Sequence, residues 1–301
     1  MRILRTPESR FKGLRDYPFR PHFTTINNIR LHYVDEGYGN ERTVMLLHGV
    51  PAWSYLYRHI IIKLAETGNR VIAPDLIGFG KSDKPDNLNY HSYQAHIDSI
   101  YNLINRLKLK DIILFGHDWG SLIGLRIAAA HPDLFAGVII SNGMLPTGEQ
   151  KLHRMFTLWK VFAKHSPFLP VDRVIGSSII RKLEMEEKRA YRAPFPSTKY
   201  KCGIRAMPGL VPSSPLDPES IANKSAWESL GKWEKPFLTI FSNSDPITRD
   251  GDEYLQTRIP GAVGQEHVRL DAKHFIQEDR SMELSDLINR FSKSITPEFI
   301  Q

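Results

Sequence analysis

Short, almost unbroken apolar runs recur along this chain, separated by longer stretches of helical period, and that alternation predicts a mostly parallel sheet covered by helices. The runs at 43–48 (TVMLLH), 70–75 (RVIAPD), 111–116 (DIILFG), 136–141 (AGVIIS) and 236–241 (PFLTIF) read as buried strands, with 267–270 (HVRL) a shorter one. Two further strands, at 23–26 and 29–33, flank Asn27-Asn28, a hairpin turn pair. Between about 146 and 233 the strand signal stops, and amphipathic helical stretches and the proline-rich AYRAPFPSTKY take over. The strand pattern then resumes. The expectation is one α/β main domain, residues 1–145 and 234–301, interrupted by a helical insertion at 146–233.

The strongest local signal is Phe115-Gly116-His117-Asp118-Trp119-Gly120-Ser121, after one strand and before the apolar helix that starts at Leu122. A G-x-nucleophile-x-G turn at a strand–helix junction lifts its central residue above the sheet in a strained conformation. Serine is the usual occupant, and here it is Asp118. A serine needs a base before it can attack, whereas a carboxylate is already ionised at neutral pH and can attack an sp³ carbon directly to give an ester. The bland alternative is that Asp118 merely caps the following helix.

GHDWGS resembles the nucleophile motif of haloalkane dehalogenases and of the related epoxide hydrolases. The segment 48–58 (HGVPAWSYLYR) is similar to their HGxP stretch, and 75–82 (DLIGFGKS) to a third shared stretch. The resemblance runs in order from about residue 23 to the C-terminus. It implies an α/β-hydrolase fold with a mostly parallel eight-stranded sheet and a helical cap, and hydrolytic removal of halide through an alkyl ester on Asp118. His274, in DAKHFI, falls where the family's base stands. Asp245, directly after the strand at 236–241, is the acid that would orient it, with Asp250 and Asp252 as nearby competitors. Some members carry the acid one strand earlier, but Ser141-Asn142-Gly143-Met144 holds no carboxylate there.

A departing halide needs hydrogen-bond donors in a dry site. The resemblance gives Trp119 as one donor and, because Val50 stands where one subfamily has Asn, gives Trp159 of FTLWK as the other. The backbone N–H groups of Val50 and Trp119 would form the oxyanion hole. Phe156, Phe162, Pro208, Val211 and Ile247 are the expected apolar pocket, although each can equally be packing. An epoxide hydrolase would share Asp118, His274 and Asp245 but would need cap tyrosines, for which Tyr191 and Tyr200 are the candidates. A fluoroacetate-type dehalogenase would have Arg where Trp119 stands. A non-catalytic binding protein on this fold would tend to have lost one of the three residues.

Composition narrows the partners. The 301 residues carry a net charge of +7, but Lys and Arg are scattered without a basic block, so no nucleic-acid partner is expected. The single cysteine excludes an internal disulfide framework and a Cys-based zinc site. No HExxH, Cys/His cluster or phosphate-binding loop is present, so neither a metal nor an organic cofactor is expected. The first residues lack a signal-peptide pattern and no apolar run is long enough to span a membrane. A cytoplasmic monomer or weak homodimer is expected, with a small halogenated hydrocarbon and a halide ion as its only partners.

Overall fold

A computed structural model of the chain describes residues 1–40, 42–151, 153–248 and 250–295. Eight strands form the main sheet: β1 (His22–Ile26), β2 (Ile29–Glu36), β3 (Arg42–Leu47), β4 (Asn69–Pro74), β5 (Ile112–His117), β6 (Phe135–Ser141), β7 (Phe237–Ser242) and β8 (Val268–Leu270). Their spatial order is β8-β7-β6-β5-β3-β4-β2-β1. From β4 to β8 the neighbours are parallel, while the β1–β2 hairpin joins β4 antiparallel. Asn27 and Asn28 both take positive φ, 49° and 64°, as a two-residue hairpin turn of right-handed twist demands.

Each expected strand is present within one to three residues of its expected ends. The central strands are largely apolar because helices cover both faces; β5 and β7 are buried at every position. Before β6 lie the helices α1 (Arg58–Glu66), α2 (Tyr93–Arg106) and α3 (Trp119–Ala130). Between β6 and β7 lie α4 (Arg154–His165), α5 (Val171–Ser177), α6 (Met185–Arg192), α7 (Cys202–Leu210) and α8 (Pro218–Leu230). After β7 come α9 (Gly251–Gln256), α10 (Ile276–Asp279) and α11 (Ser281–Ser294).

The chain runs from β3 to β4 on one side, then returns to place β5 on the other side of β3. That reversal makes a topological switch point at the C-terminal ends of β3 and β5, the place where open α/β sheets bind ligands. Gly49 and Val50 leave β3 there and Asp118 leaves β5.

The N-terminal arm was not foreseen as structured. Phe11, Leu14, Tyr17 and Phe19 are buried, with Phe11 edge-on to Trp53 at 5.6 Å and the Tyr17 hydroxyl 2.7 Å from Ser54 Oγ. Thr6 and Arg10 donate to the carbonyls of Pro194 and Ala193 at 2.7 and 2.8 Å, tying the arm to the inserted helices. Ile3–Leu4 also pairs antiparallel with Lys84–Pro85.

Candidate active site

Asp118 sits at φ 51°, ψ −120°, in the strained turn between β5 and α3. It occupies the N-cap position of α3, yet its side chain caps nothing. Its carbonyl, not its carboxylate, holds the first turn, accepting from the backbone N–H and hydroxyl of Ser121 at 2.9 and 2.6 Å. The carboxylate is left for another task, which removes the bland helix-cap reading. Two glycines make the turn possible by close approach. A Cβ on Gly120 would stand 1.9 Å from the Leu47 carbonyl oxygen, and one on Gly49 would stand 2.4 Å from Asp118 Cβ.

The backbone N–H of Val50 points at Asp118 Oδ1 from 3.5 Å. Burial pushes the Asp118 carboxyl up, and the charge of His274 with the Val50 and Trp119 N–H groups holds the rise to about 6. The group therefore remains ionised at neutral pH in surroundings that solvate it poorly. Trp119, the first residue of α3, is buried and packs edge-on against Tyr93 at 5.2 Å.

His274 lies on the loop between β8 and α10, with Nδ1 donating to Asp245 Oδ2 at 2.9 Å. Burial alone would lower the imidazole, but the charge and hydrogen bond of Asp245, with the charge of Asp118, outweigh it and raise it to about 9. Asp245 is fully buried; its other oxygen accepts the Ile247 N–H at 2.9 Å, and the Thr248 hydroxyl also donates to the carboxylate. Burial works against its ionisation, yet His274 and these donors hold it well below the usual carboxylate range. Of the competitors, Asp252 is paired with Arg269 at 2.7 Å and Asp250 occupies the N-cap position of α9. Asp245 is the carboxylate that reaches His274.

Three residues that the sequence did not single out complete this arrangement. Asn142, at φ 41° just past β6, donates through Nδ2 to the His274 carbonyl at 2.8 Å and to Ser242 Oγ at 2.6 Å. It thereby fills the position of the alternative acid with a neutral brace. His117 Nε2 donates to the same carbonyl at 2.8 Å, and burial with repulsion from His274 pushes this imidazole down to about 3, so it stays neutral. Thr248 is the third, on Asp245. An Asp-x-x-Thr spacing and an Asn at a strand end are common enough that neither stood out.

The remaining expected residues lie on the inserted helices and near β7. Trp159 and Phe156, on α4, are half-buried against the core, and Trp159 lies 6.2 Å from Phe162, which is 42% exposed. α4 packs on α7, which carries the buried Pro208 and ends at buried Val211. Ile247 is half-buried beside Asp245.

The α/β-hydrolase fold family matches residues 42–281. A haloalkane dehalogenase of Mycolicibacterium paratuberculosis is 48% identical over 98% of this chain and 100% of its own length, and one of Mycobacterium marinum is 46% identical over 96% and 99%. Among solved structures, a tetrameric haloalkane dehalogenase from Paraglaciecola agarilytica superposes with a TM-score of 0.89 at 32% identity, covering 96% of this chain and 97% of that one. This chain belongs to the haloalkane dehalogenase family.

Within the haloalkane dehalogenase frame, the tyrosines of the epoxide-opening alternative read differently. Tyr191 is fully buried and donates its hydroxyl to Glu278 inside an ionic cluster, so it is committed elsewhere. Tyr200 is half-buried and packs against the core. The same scaffold does host other chemistry, since a cis-3-alkyl-4-alkyloxetan-2-one decarboxylase of Shewanella oneidensis is 30% identical over 91% of this chain and 88% of its own length. Among the described residues no group of three or more His, Cys, Asp or Glu side chains could hold a metal ion, and no helix is long and apolar enough to cross a membrane. A surface depression of about 410 Å³ lies beside Trp227 and Tyr254, and its Lys224 and Glu149 are already paired with each other at 2.7 Å.

Proposed function

We propose that the chain hydrolyses haloalkanes to an alcohol, a halide ion and a proton through an alkyl ester on Asp118. An Asp118 oxygen attacks the halogen-bearing carbon, and the halide leaves with the bonding pair. The Trp119 and Trp159 indole N–H groups, donors only, stabilise the charge growing on the halide. His274, held by Asp245, then takes a proton from a water that attacks the ester carbonyl. The oxyanion so formed is met by the backbone N–H groups of Val50 and Trp119. Its collapse releases the alcohol and restores the carboxylate. The residues at 146–233 act as the cap, and Phe156, Phe162, Pro208, Val211 and Ile247 line an apolar pocket suited to a substrate with little to offer but hydrocarbon.

The observation that carries this reading is the free carboxylate at the strained turn: Asp118 caps nothing, faces the Val50 N–H and couples to a histidine braced by a second carboxylate. Halide and proton release from 1-bromobutane and 1,2-dibromoethane, with styrene oxide hydrolysis run in parallel, tests it. Halide release without diol formation is expected. Diol formation without halide release would return the cap tyrosines to consideration.

A further inference from the structure

The loop that carries His274 is fastened on two sides, and only one of them belongs wholly to the main domain. On the sheet side, Asn142 and His117 hold the His274 carbonyl, both at 2.8 Å. On the other side, the loop is held within the main domain by Arg280, whose Nε donates to the Asp271 carbonyl at 2.9 Å, and it is tied to the segment 178–187 of the cap both directly and through Asp279. The Phe275 N–H donates to the Ser178 carbonyl at 3.2 Å. The Asp279 carboxylate accepts the Lys273 N–H at 3.1 Å, one residue before His274. The same carboxylate accepts the cap N–H groups of Ile180 at 2.8 and 3.0 Å and of Arg181 at 3.2 Å. Arg181 Nε in turn donates to the Glu278 carbonyl at 2.7 Å.

Glu278 reinforces the junction. Its carboxylate takes Arg58 at 2.6 and 3.0 Å, together with Arg181 and the Tyr191 hydroxyl, while Glu187 bridges Arg58 at 2.9 Å and Arg181 at 2.7 Å. Two arginines and two glutamates drawn from α1, α6, α10 and the strand-free stretch before α6 thus close a charge-balanced cluster directly behind the loop. Among the described residues, Asp279 is the one side chain that hydrogen-bonds both the backbone beside His274 and the backbone of the cap.

We propose that Asp279 is a positioning residue that sets His274 from the cap side, so that the cap governs the hydrolytic half of the reaction as well as enclosing the substrate. The inference rests on the roles proposed for Asp118 and His274. In the first displacement the attacking group is Asp118, whose turn is built by β5 and α3 and meets the His274 loop on its sheet side, through His117, rather than at the cap junction. In the second, His274 must hold a water within hydrogen-bond reach of the ester, and a displacement of about 1 Å in such a group can cost about 100-fold. Loosening the junction therefore slows ester hydrolysis and spares ester formation.

The test is single-turnover kinetics with 1,2-dibromoethane, following the alkyl-enzyme by rapid quench and intact-protein mass spectrometry in wild type, Asp279→Asn and Asp271→Asn. The Asn side chain keeps the size of Asp279 but replaces an acceptor with a donor facing N–H groups. Ester formation in Asp279→Asn is expected within about twofold of wild type, with ester hydrolysis slowed about 10- to 100-fold and the alkyl-enzyme accumulating. Asp271→Asn, on the same loop but exposed and paired with Arg280 on the surface, is expected to match wild type in both steps. If Asp279→Asn does not fold, Arg181→Met, which cuts the bond to the Glu278 carbonyl, is read by the same partition. Equal slowing of both steps, or no change in hydrolysis, overturns the positioning role. Absence of any alkyl-enzyme or halide release in wild type would instead overturn the proposed reaction itself.

Discussion

Asp118 and His274 titrate against each other, and the order in which the proposed reaction uses them gives the pH dependence its sign. The free enzyme needs Asp118 ionised, and its carboxyl is raised to about 6 by burial. Protonation as the pH falls through that value removes the nucleophile, so kcat/KM, which reports the free enzyme, is expected to fall below about pH 6. A profile that stays level well below pH 6 would remove Asp118 from the first step. His274, raised to about 9 in part by the Asp118 charge, would be largely protonated at neutral pH in the free enzyme. Ester formation neutralises Asp118 and removes that contribution, so the imidazole loses protons more readily when a base is needed. The hydrolysis step, measured in single turnover, therefore has its acid limb below the free-enzyme value of about 9.

The turn that presents Asp118 depends on β3 and α3 meeting without side chains between them. Gly120 faces the Leu47 carbonyl at the end of β3, where an added Cβ would lie 1.9 Å from the oxygen and 2.4 Å from the carbon. Backbone at a buried strand end cannot step aside, so Gly120→Ala is expected to cost about 3 kcal/mol or more, the upper end of overpacking penalties. Urea denaturation checks this, and a change of less than about 0.5 kcal/mol would mean that the helix and strand can part. Such elements were the legible part of the chain. Strands β3 to β7 are covered on both faces and so announce themselves as apolar runs, and the Gly-His-Asp-Trp-Gly turn carries its geometry in its spacing. The N-terminal arm was not legible, because Phe11, Leu14, Tyr17 and Phe19 lie in a stretch that is mostly turn and coil and are buried by surfaces contributed from far along the chain. Asn142, Thr248 and Asp279 escaped for a related reason. Each acts on groups brought to it by the fold, and a single polar side chain in a loop carries no pattern.

The main domain and the inserted helices meet through a buried ionic cluster as well as apolar packing. Arg58 is 1% exposed and Glu278 is buried beside it, so neither charge has water to fall back on. Burial works to lower the Arg58 guanidinium, but the Glu278 carboxylate outweighs it and raises Arg58 well above its ordinary value. Arg58→Met would leave Glu278 with Arg181 and Tyr191 but without its fully buried cationic partner. The expected loss is about 3–5 kcal/mol of unfolding free energy, the cost of stranding a buried charge. A loss below about 1 kcal/mol would show that Arg181 alone satisfies Glu278. The sequence indicated that helices interrupt the sheet between β6 and β7, but the partners that bind them to it come from α1 and α10, which only the folded chain brings together.

The central claim is that Asp118 forms an ester which His274 helps to hydrolyse, and trapping the ester tests it most directly. His274→Phe removes the base and leaves the nucleophile, its turn and the Val50 N–H in place. Incubated with 1,2-dibromoethane and examined by intact-protein and peptide mass spectrometry, this variant is expected to accumulate one alkyl group per chain, located on Asp118. Protein that stays unmodified while wild type releases halide, or an adduct on any other residue, would contradict the account.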